Sequence, residues 1–214
     1  MSEAIRVAIV DDHQMFAESL SRLVGAEEGF EVVGVAASAA AAVPLVVSTR
    51  PDVALVDFRL PDASGADVAG GILASSPRTR VLMLTGSDEH GALARAIEAG
   101  CAGFLTKDRA FDELVQAIRV VASGECYMPA RLLATLLPRF RRDASEPTTE
   151  LTARELGILA LLRDGVTSRE IAAREFLSIH TVRNHIQTIL SKLGAHSQLQ
   201  AVAIATRQHL FDEA

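Results

Sequence analysis

The chain of 214 residues contains only two cysteines, Cys101 and Cys126, together with one tyrosine and no tryptophan. Two isolated cysteines without Cys-x-x-Cys spacing exclude a cysteine zinc site and a disulfide framework. No apolar run approaches the roughly 18–20 residues that cross a bilayer, and the N-terminus lacks the basic and apolar regions of a signal peptide. We therefore expect a cytoplasmic protein with reduced thiols and no membrane contact.

Both parts of the chain carry acidic and basic residues, but the two parts differ in net charge. Residues 1–123 carry 10 Lys and Arg against 17 Asp and Glu, a net charge of −7. Residues 147–211 carry 7 against 5, a net charge of +2, and four of the six histidines. An acidic first part followed by a mildly basic last part indicates an anionic partner for the last part.

The first 123 residues alternate between strand and helix patterns. Apolar runs predict strands over 5–10, 31–36, 52–57, 80–85 and 101–105. Helical patterns fall between them, near 14–25, 38–48, 65–75, 88–98 and 110–123, and Pro44 should kink or shorten the second. Five such repeats predict a flavodoxin-like α/β domain, a (βα)5 unit with a parallel sheet in the order 2-1-3-4-5.

The pattern changes after residue 123. Residues 124–149 have the composition of a linker, with room for a short helix over 130–137 between Pro129 and Pro138. Strand patterns then vanish, and four helices are predicted over 152–162, 168–174, 179–193 and 197–209. We therefore predict domains over 1–123 and 150–214, the second a small all-α four-helix domain that contains a helix-turn-helix.

Polar residues follow four of the predicted strands at the point where each strand ends. They are Asp11 with Asp12, Asp57, Thr85 and Lys107. In an open parallel sheet, ligands bind outside the carboxyl ends of the strands, so these side chains should meet at one edge. Each of these residues alone has an ordinary explanation as a cap, a turn residue or a solvated side chain. Their joint occurrence at four strand ends favours a functional site. An aspartate beside a divalent cation can attack phosphorus and form an acyl phosphate, with Lys107 and Thr85 serving the phosphoryl oxygens.

The carboxylates of this set suit Mg²⁺, which prefers oxygen ligands. Asp12 and Asp57 would reach one ion, Asp11 could hold a coordinated water, and the backbone carbonyl of Arg59 is a further candidate ligand. His13 follows the acidic pair directly. We expect it at a helix start, with its side chain pointing away from the site.

The third helix of the second domain has two faces. Its apolar stripe is formed by Val182, Ile186, Ile189, Leu190 and Leu193. Its candidates for DNA contact are His180, Thr181, Arg183, Asn184, Gln187 and Lys192. Arg183, Asn184 and Gln187 have side chains that read bases in the major groove, and the other three could contact phosphates. An ordinary solvated helix face remains the alternative.

Residues 5–123 resemble the receiver domain of response regulators. The segments that carry the resemblance are Val10-Asp11-Asp12-His13, Asp57-Phe58-Arg59-Leu60-Pro61 with Gly65, Leu84-Thr85-Gly86 and Gly103-Phe104-Leu105-Thr106-Lys107. The resemblance implies that Asp57 accepts a phosphoryl group from the phosphohistidine of a sensor kinase. It also implies that Thr85 and Phe104 move together on phosphorylation, without the phenolic hydroxyl of the commoner tyrosine. Asp108 stands where many receivers have proline after the lysine, so a cis peptide is not assumed there.

Residues 151–201 resemble the DNA-binding domain of the NarL/FixJ, or LuxR-type, regulators. The segments that carry this resemblance are Leu151-Thr152-Ala153-Arg154-Glu155, Glu170-Ile171-Ala172, Thr181-Val182-Arg183-Asn184-His185 and Lys192-Leu193-Gly194. The resemblance implies that the fourth helix is used for dimerisation on DNA. Two positions depart from it: Glu175 replaces an apolar residue, which affects packing of the preceding helix, and Gln198 replaces a common arginine, which affects a contact to the DNA backbone.

Together these features predict a two-component response regulator. A histidine kinase would phosphorylate Asp57 and favour a homodimer on double-stranded DNA. We expect no enzymatic activity beyond self-phosphorylation and slow autodephosphorylation. One alternative is an aspartyl-phosphate phosphatase of the haloacid dehalogenase type. Those enzymes carry a second aspartate at the position of Arg59, which argues against this alternative. The other is a phosphorylation-independent transcription factor that keeps the receiver as a dimerisation scaffold.

Overall fold

The computed structural model describes residues 4–86, 90–128 and 151–211, together with positions 133, 136 and 140. The chain divides into two compact units, residues 1–127 and residues 128–214. The domain limits at 123 and 150 stay predictions at the level of single residues. The short helix predicted over 130–137 falls almost entirely outside the described residues.

The first unit is a five-stranded parallel sheet with helices between the strands. The strands are β1 (Ile5–Val10), β2 (Phe30–Ala36), β3 (Val53–Asp57), β4 (Arg80–Thr85) and β5 (Gly103–Thr106). The helices are α1 (Gln14–Ala26), α2 (Ala39–Thr49), α3 (Gly65–Ser75), α4 (His90–Glu98) and α5 (Phe111–Ala122). The sheet order is β2-β1-β3-β4-β5, so the predicted order and the flavodoxin-like class are confirmed.

The apolar runs form strands because both faces of the sheet are covered. All five residues of β3 are buried, as expected for a central parallel strand that has helices on both sides. One core cluster joins alternate residues of the sheet, such as Ile9 and Leu55, to Leu20 of α1 and Ile118 of α5. This packing fixes the positions of the strand ends that carry the polar residues.

Two elements differ from the sequence prediction. α2 runs through Pro44, the sixth of its eleven residues, to Thr49 and is not shortened, although the proline removes one backbone N–H donor. β5 begins at Gly103 rather than at 101. Residues after α5 return to this edge strand: the Phe104 N–H donates to the Tyr127 carbonyl at 2.9 Å, and the Tyr127 N–H donates to the Ala102 carbonyl at 3.1 Å.

The described part of the second unit is helical. It contains α6 (Ala153–Arg163), α7 (Ser168–Arg174), α8 (Ile179–Leu193) and α9 (Gln198–Arg207). The helices begin where the sequence supplies hydroxyl caps: Thr152 and Thr167 form capping boxes with Glu155 and Glu170, and Ser178 caps α8. α8 ends at Gly194, whose φ of 62° is in the left-handed region.

The core of the second unit is built from one face of each helix. Four of the five residues predicted for the apolar stripe of α8 are buried, namely Val182, Ile186, Ile189 and Leu193, and Leu190 is half-buried. They pack with residues such as Ile158 of α6, Ile171 of α7 and Val202 of α9. The predicted all-α four-helix domain is thereby confirmed. Within the described segments, no helix combines the length and the hydropathy that a membrane crossing requires.

Candidate functional site

A compact charged cluster lies at the carboxyl ends of β1, β3 and β5. The Lys107 ammonium is 2.7 Å from Asp11 Oδ2 and 2.8 Å from Asp57 Oδ2. Both carboxylates are almost fully buried, with residue exposures of 1% and 3%. Asp11 directly follows β1, Asp57 ends β3 and Lys107 directly follows β5. The sheet therefore brings these three predicted residues into direct contact.

The charges of this cluster depend on one another. Burial raises the pKa of Asp57, Lys107 lowers it through a hydrogen bond and its charge, and the neighbouring Asp11 carboxylate raises it again. Burial would lower the pKa of Lys107, but its bonds to Asp11 and Asp57 prevail and the pKa is raised. The ammonium stays charged at neutral pH, where it holds two carboxylates whose repulsion would otherwise separate them.

The same cluster has the composition of a divalent-cation site. Ligand atoms of Asp11, Asp12, His13 and Asp57 all lie within 4.8 Å of one another. Asp12 is on the open side, with 32% of its side chain exposed. Among the described residues, three carboxylates face the Lys107 ammonium, so the pocket carries an excess of negative charge and its oxygen donors fit Mg²⁺. The Arg59 N–H is 3.4 Å from Asp57 Oδ1, while a ligand role for the Arg59 carbonyl stays a prediction.

His13 does not point away from the site, so that expectation was wrong. Its Nδ1 is 3.1 Å from Asp12 Oδ1, 3.4 Å from Asp11 Oδ1 and 3.9 Å from Asp57 Oδ2. The reason is local. The His13 N–H donates to Asp11 Oδ1 at 2.9 Å, which closes a tight turn before α1. The turn brings the imidazole back over the carboxylates, which attract it.

Thr85 and Phe104 are both buried, with exposures of 4% and 3%. The Thr85 hydroxyl donates to the Gly86 carbonyl at 2.6 Å. The end of β4 is hydrogen-bonded to the segments that follow β3 and β5. The Phe58 N–H donates to the Leu84 carbonyl, and the Lys107 N–H donates to the Thr85 carbonyl. Thr85 thus occupies the segment between Asp57 and Lys107, as its strand-end position predicts.

Two residues at this edge were missed by the sequence analysis. Lys107 Nζ lies 4.8 Å from the centre of the Phe16 ring, which therefore contributes to the position of the ammonium. Asp62 accepts hydrogen bonds from the N–H groups of Ala39 and Ala40 and ties the loop after β3 to the start of α2. These bonds lower the pKa of Asp62. Only contacts between distant segments reveal either role.

The polar face of α8 is exposed. Arg183, Asn184, Gln187 and His180 are all exposed at the outer side of this helix. Thr181 instead belongs partly to the cap, since its N–H donates to Ser178 Oγ at 3.0 Å and the two hydroxyls are 2.8 Å apart. The structure thus separates the predicted set into an outer face and a helix start.

Lys192 has a partner inside its own domain. Its ammonium is 2.7 Å from Glu155 Oε2, and only 7% of the Glu155 side chain is exposed. The same carboxylate accepts the Thr152 N–H at 2.7 Å and the Thr152 hydroxyl at 3.0 Å. Burial would raise the pKa of Glu155, but the bonds from Lys192 and Thr152 prevail and lower it. Lys192 therefore connects α8 to the start of α6.

The two departures from the LuxR-type pattern have structural explanations. The Glu175 carboxylate binds the Arg154 guanidinium, which ties the C-terminus of α7 to α6. An ion pair thus replaces the apolar contact expected at this position. Gln198 is buried in the first turn of α9, so its side chain contributes to the interior of the domain.

Comparison with known proteins agrees with this geometry. The response regulator receiver domain matches residues 7–119, and the DNA-binding domain of bacterial regulatory proteins of the luxR family matches residues 149–205. The DNA-binding transcriptional activator DevR/DosR of Mycobacterium tuberculosis is 38% identical over 94% of each chain. The crystal structure of the response regulator ChrA of a heme-sensing two-component system covers 98% of this chain and all of its own, at 29% identity and a TM-score of 0.52. The receiver of the response regulator NarL from M. tuberculosis covers 58% of this chain and all of its own, at 39% identity and a TM-score of 0.55.

These matches define the class: the chain is a DNA-binding response regulator with a receiver domain and a LuxR-type helix-turn-helix domain. It belongs to the NarL/FixJ family of transcriptional regulators. The resemblances seen in the sequence are confirmed.

Proposed function

We propose that phosphorylation of Asp57 by a sensor histidine kinase switches this regulator between states that differ in DNA binding. The observation that supports the proposal is the contact of Lys107 with Asp57 and Asp11, at 2.8 and 2.7 Å. Asp12, on the exposed side of the same pocket, leaves room for a metal ion and a phosphoryl group to approach. Both proposed partners, the kinase and the chromosome, would be met in the cytoplasm.

The proposed chemistry is a transfer between two protein side chains. An oxygen of Asp57 attacks phosphorus and forms an O–P bond, the P–N bond to the donor histidine breaks, and the imidazole leaves. Mg²⁺, held by Asp12 and Asp57 with the Arg59 carbonyl, would neutralise charge on the phosphoryl oxygens, and Asp11 would hold one of its waters. Lys107 can compensate further charge because its pKa is raised.

The proposed switch begins at Thr85. Its hydroxyl now donates to a neutral carbonyl, that of Gly86. A phosphoryl oxygen on Asp57 would be a stronger, charged acceptor, and the hydroxyl would turn towards it. Phe104, on the neighbouring strand, is proposed to move with Thr85. The result would be a shift between two pre-existing conformations rather than a turnover cycle.

The proposed output is DNA reading by α8. Arg183, Asn184 and Gln187 would contact bases, while the proposed phosphate contacts are His180, Thr181 and, if its ammonium leaves Glu155, Lys192. Phosphorylation would favour a homodimer that binds two half-sites. In this proposal the receiver spans residues 1–123, the linker 124–149 and the DNA-binding domain 150–214.

The phosphorylation step is tested with a small phosphodonor such as phosphoramidate. Wild type with Mg²⁺ should gain one phosphoryl group, detected by mass and by gel retardation. Asp57→Asn should lose this modification, and the matched control Asp112→Asn, which alters an exposed carboxylate of α5, should keep it. Unchanged phosphorylation of Asp57→Asn would refute the assignment of the acceptor.

The two alternatives give different results in the same assays. A phosphatase would hydrolyse excess phosphodonor through many turnovers, whereas a regulator stops after slow self-limited hydrolysis. A phosphorylation-independent scaffold would not bind beryllium fluoride, a phosphoryl mimic, in a metal-dependent manner. The complete contact set of Asp11, Asp57 and Lys107 supports the regulator.

The reading face is tested with Arg183→Ala in a DNA-binding measurement. A base contact should cost ~1–3 kcal/mol and relax the preference at one base position. An equal loss of affinity on unrelated sequences would instead identify Arg183 as a phosphate contact.

A further inference from the structure

His13 occupies a place in the acidic pocket that an oxygen-binding magnesium site does not require. It lies between β1 and α1, and its ring makes no cap bond to the helix. About 70% of the side chain is exposed, so burial does not force it towards the carboxylates. Its Nδ1 nevertheless approaches oxygens of Asp11, Asp12 and Asp57, which come from the ends of two strands.

The distances around Nδ1 fall within the range expected between ligands of a single ion. Two donors that each lie ~2.1 Å from one ion are about 3.0 Å apart as neighbours and about 4.2 Å apart when opposite. The distances from His13 Nδ1 to Asp12 Oδ1 and Asp11 Oδ1 are 3.1 and 3.4 Å, and the distance to Asp57 Oδ2 is 3.9 Å. The nitrogen could therefore join the carboxylates around one ion with little movement of the chain.

The Lys107 ammonium and the imidazole contact different oxygens of Asp11. Lys107 binds Asp11 Oδ2 at 2.7 Å, while Oδ1 faces His13 Nδ1 and also accepts the His13 N–H. At Asp57 both groups face the same oxygen, since Oδ2 is 2.8 Å from the Lys107 ammonium and 3.9 Å from His13 Nδ1, while Asp12 lies beside the imidazole. A cation on the Asp12 side would meet oxygen and nitrogen donors together.

We propose that His13 supplies a nitrogen ligand to the divalent cation of this receiver. Mg²⁺ gains little from imidazole, because it prefers oxygen donors. Imidazole suits the later first-row transition-metal ions, and the affinity of a mixed nitrogen and oxygen site rises from Mn²⁺ to Co²⁺. The pocket consequently favours these ions relative to Mg²⁺ more strongly than three carboxylates alone would. The inference rests on the proposed function, since it concerns the metal that would assist phosphorylation of Asp57.

The test measures the affinity of the full-length protein for Mg²⁺ and for Co²⁺, each alone, by calorimetry in the same buffer. Loss of even an outer partner of a metal ligand typically weakens binding about 10–100-fold. His13→Ala should therefore weaken Co²⁺ binding at least ~10-fold and change Mg²⁺ binding by less than about 3-fold. His196→Ala, which removes an exposed histidine of the other domain, is the matched control and should change neither affinity.

A spectroscopic measurement detects the nitrogen ligand directly. Electron spin echo modulation of the Mn²⁺-loaded wild type should show coupling to an imidazole nitrogen, and His13→Gln should abolish it while keeping a side chain of similar size. Absence of this coupling in wild type would overturn the inference. So would an equal loss of both affinities in His13→Ala, because that result would make His13 an electrostatic or structural neighbour only.

Failure of the inference and failure of the proposed function give different patterns. Asp12→Asn should weaken both ions if the pocket is the metal site. If Asp12→Asn does so and His13→Ala alters neither ion, only the role of His13 is wrong. If Asp12→Asn also has no effect, the metal pocket of the proposed function is wrong as well.

Discussion

The role of Lys192 can be decided by removing its charge, since two roles predict opposite results. Sequence analysis assigns Lys192 to a DNA phosphate, whereas in the structure its ammonium is 2.7 Å from Glu155 Oε2. Lys192→Met keeps the length of the apolar stem and removes the ammonium. The Glu155 carboxylate would then retain its two bonds from Thr152 but lose its only charged contact among those described.

The expected cost follows from the burial of the two partners. Exposed ion pairs contribute about 0–1 kcal/mol, and removal of one partner from a buried pair costs about 3–5 kcal/mol. Here 7% of the Glu155 side chain and 33% of the Lys192 side chain are exposed, so the pair lies between these limits. We expect Lys192→Met to lower the free energy of unfolding of the DNA-binding unit by about 2 kcal/mol.

Hydrogen exchange measured on peptides of α6 and α8 gives this free energy for the second unit within the full chain. A parallel DNA-binding titration against salt gives the number of phosphate contacts, since loss of one contact lowers the slope by about 0.9. If Lys192 acts through Glu155, its substitution reduces protection in both helices and leaves the salt slope unchanged. Arg174→Met removes a charge from an exposed position of α7 and serves as the control. A stability change below about 0.5 kcal/mol together with a lower salt slope would refute the reasoning.

Three further outcomes are expected. Gly65→Ala should destabilise the receiver by about 2–3 kcal/mol in urea unfolding, because the added Cβ would collide with the Asp57 carbonyl oxygen and lie 2.8 Å from Phe58 Cα. The second unit should lose stability as the pH falls below 4.5, the ordinary pKa of the Glu155 carboxyl. The pKa of this carboxyl is depressed in the folded state, so its contribution to stability is complete only above the ordinary pKa. Hydrogen exchange measured between pH 3 and 6 checks this, and unchanged protection over that range would contradict it. Ser178→Ala should cost ~1 kcal/mol and loosen the first turn of α8, because Ser178 Oγ accepts the Thr181 N–H at 3.0 Å; unchanged exchange there would contradict it.

Much of the site could be predicted because strand ends are encoded locally. An apolar run ends where the next polar residue begins, and a parallel sheet gathers such ends at one edge. Asp11, Asp57 and Lys107 meet there as predicted. His13 could not be predicted in the same way. Its direction depends on a turn closed by a single hydrogen bond to Asp11 and on attraction by three carboxylates at once, and neither leaves a periodic pattern in the sequence.

The amino-acid sequence by itself determined the strand and helix order, the sheet topology and the two resemblances, because hydrophobic periodicity, hydroxyl caps and short motifs act between near neighbours. Only the tertiary structure decided which charged groups pair. Lys192 binds Glu155, 37 residues earlier in the chain, and Arg154 binds Glu175 across two helices. A long flexible side chain can reach several opposite charges. Burial selects among them, since a desolvated charge must be compensated where the packed helices place it.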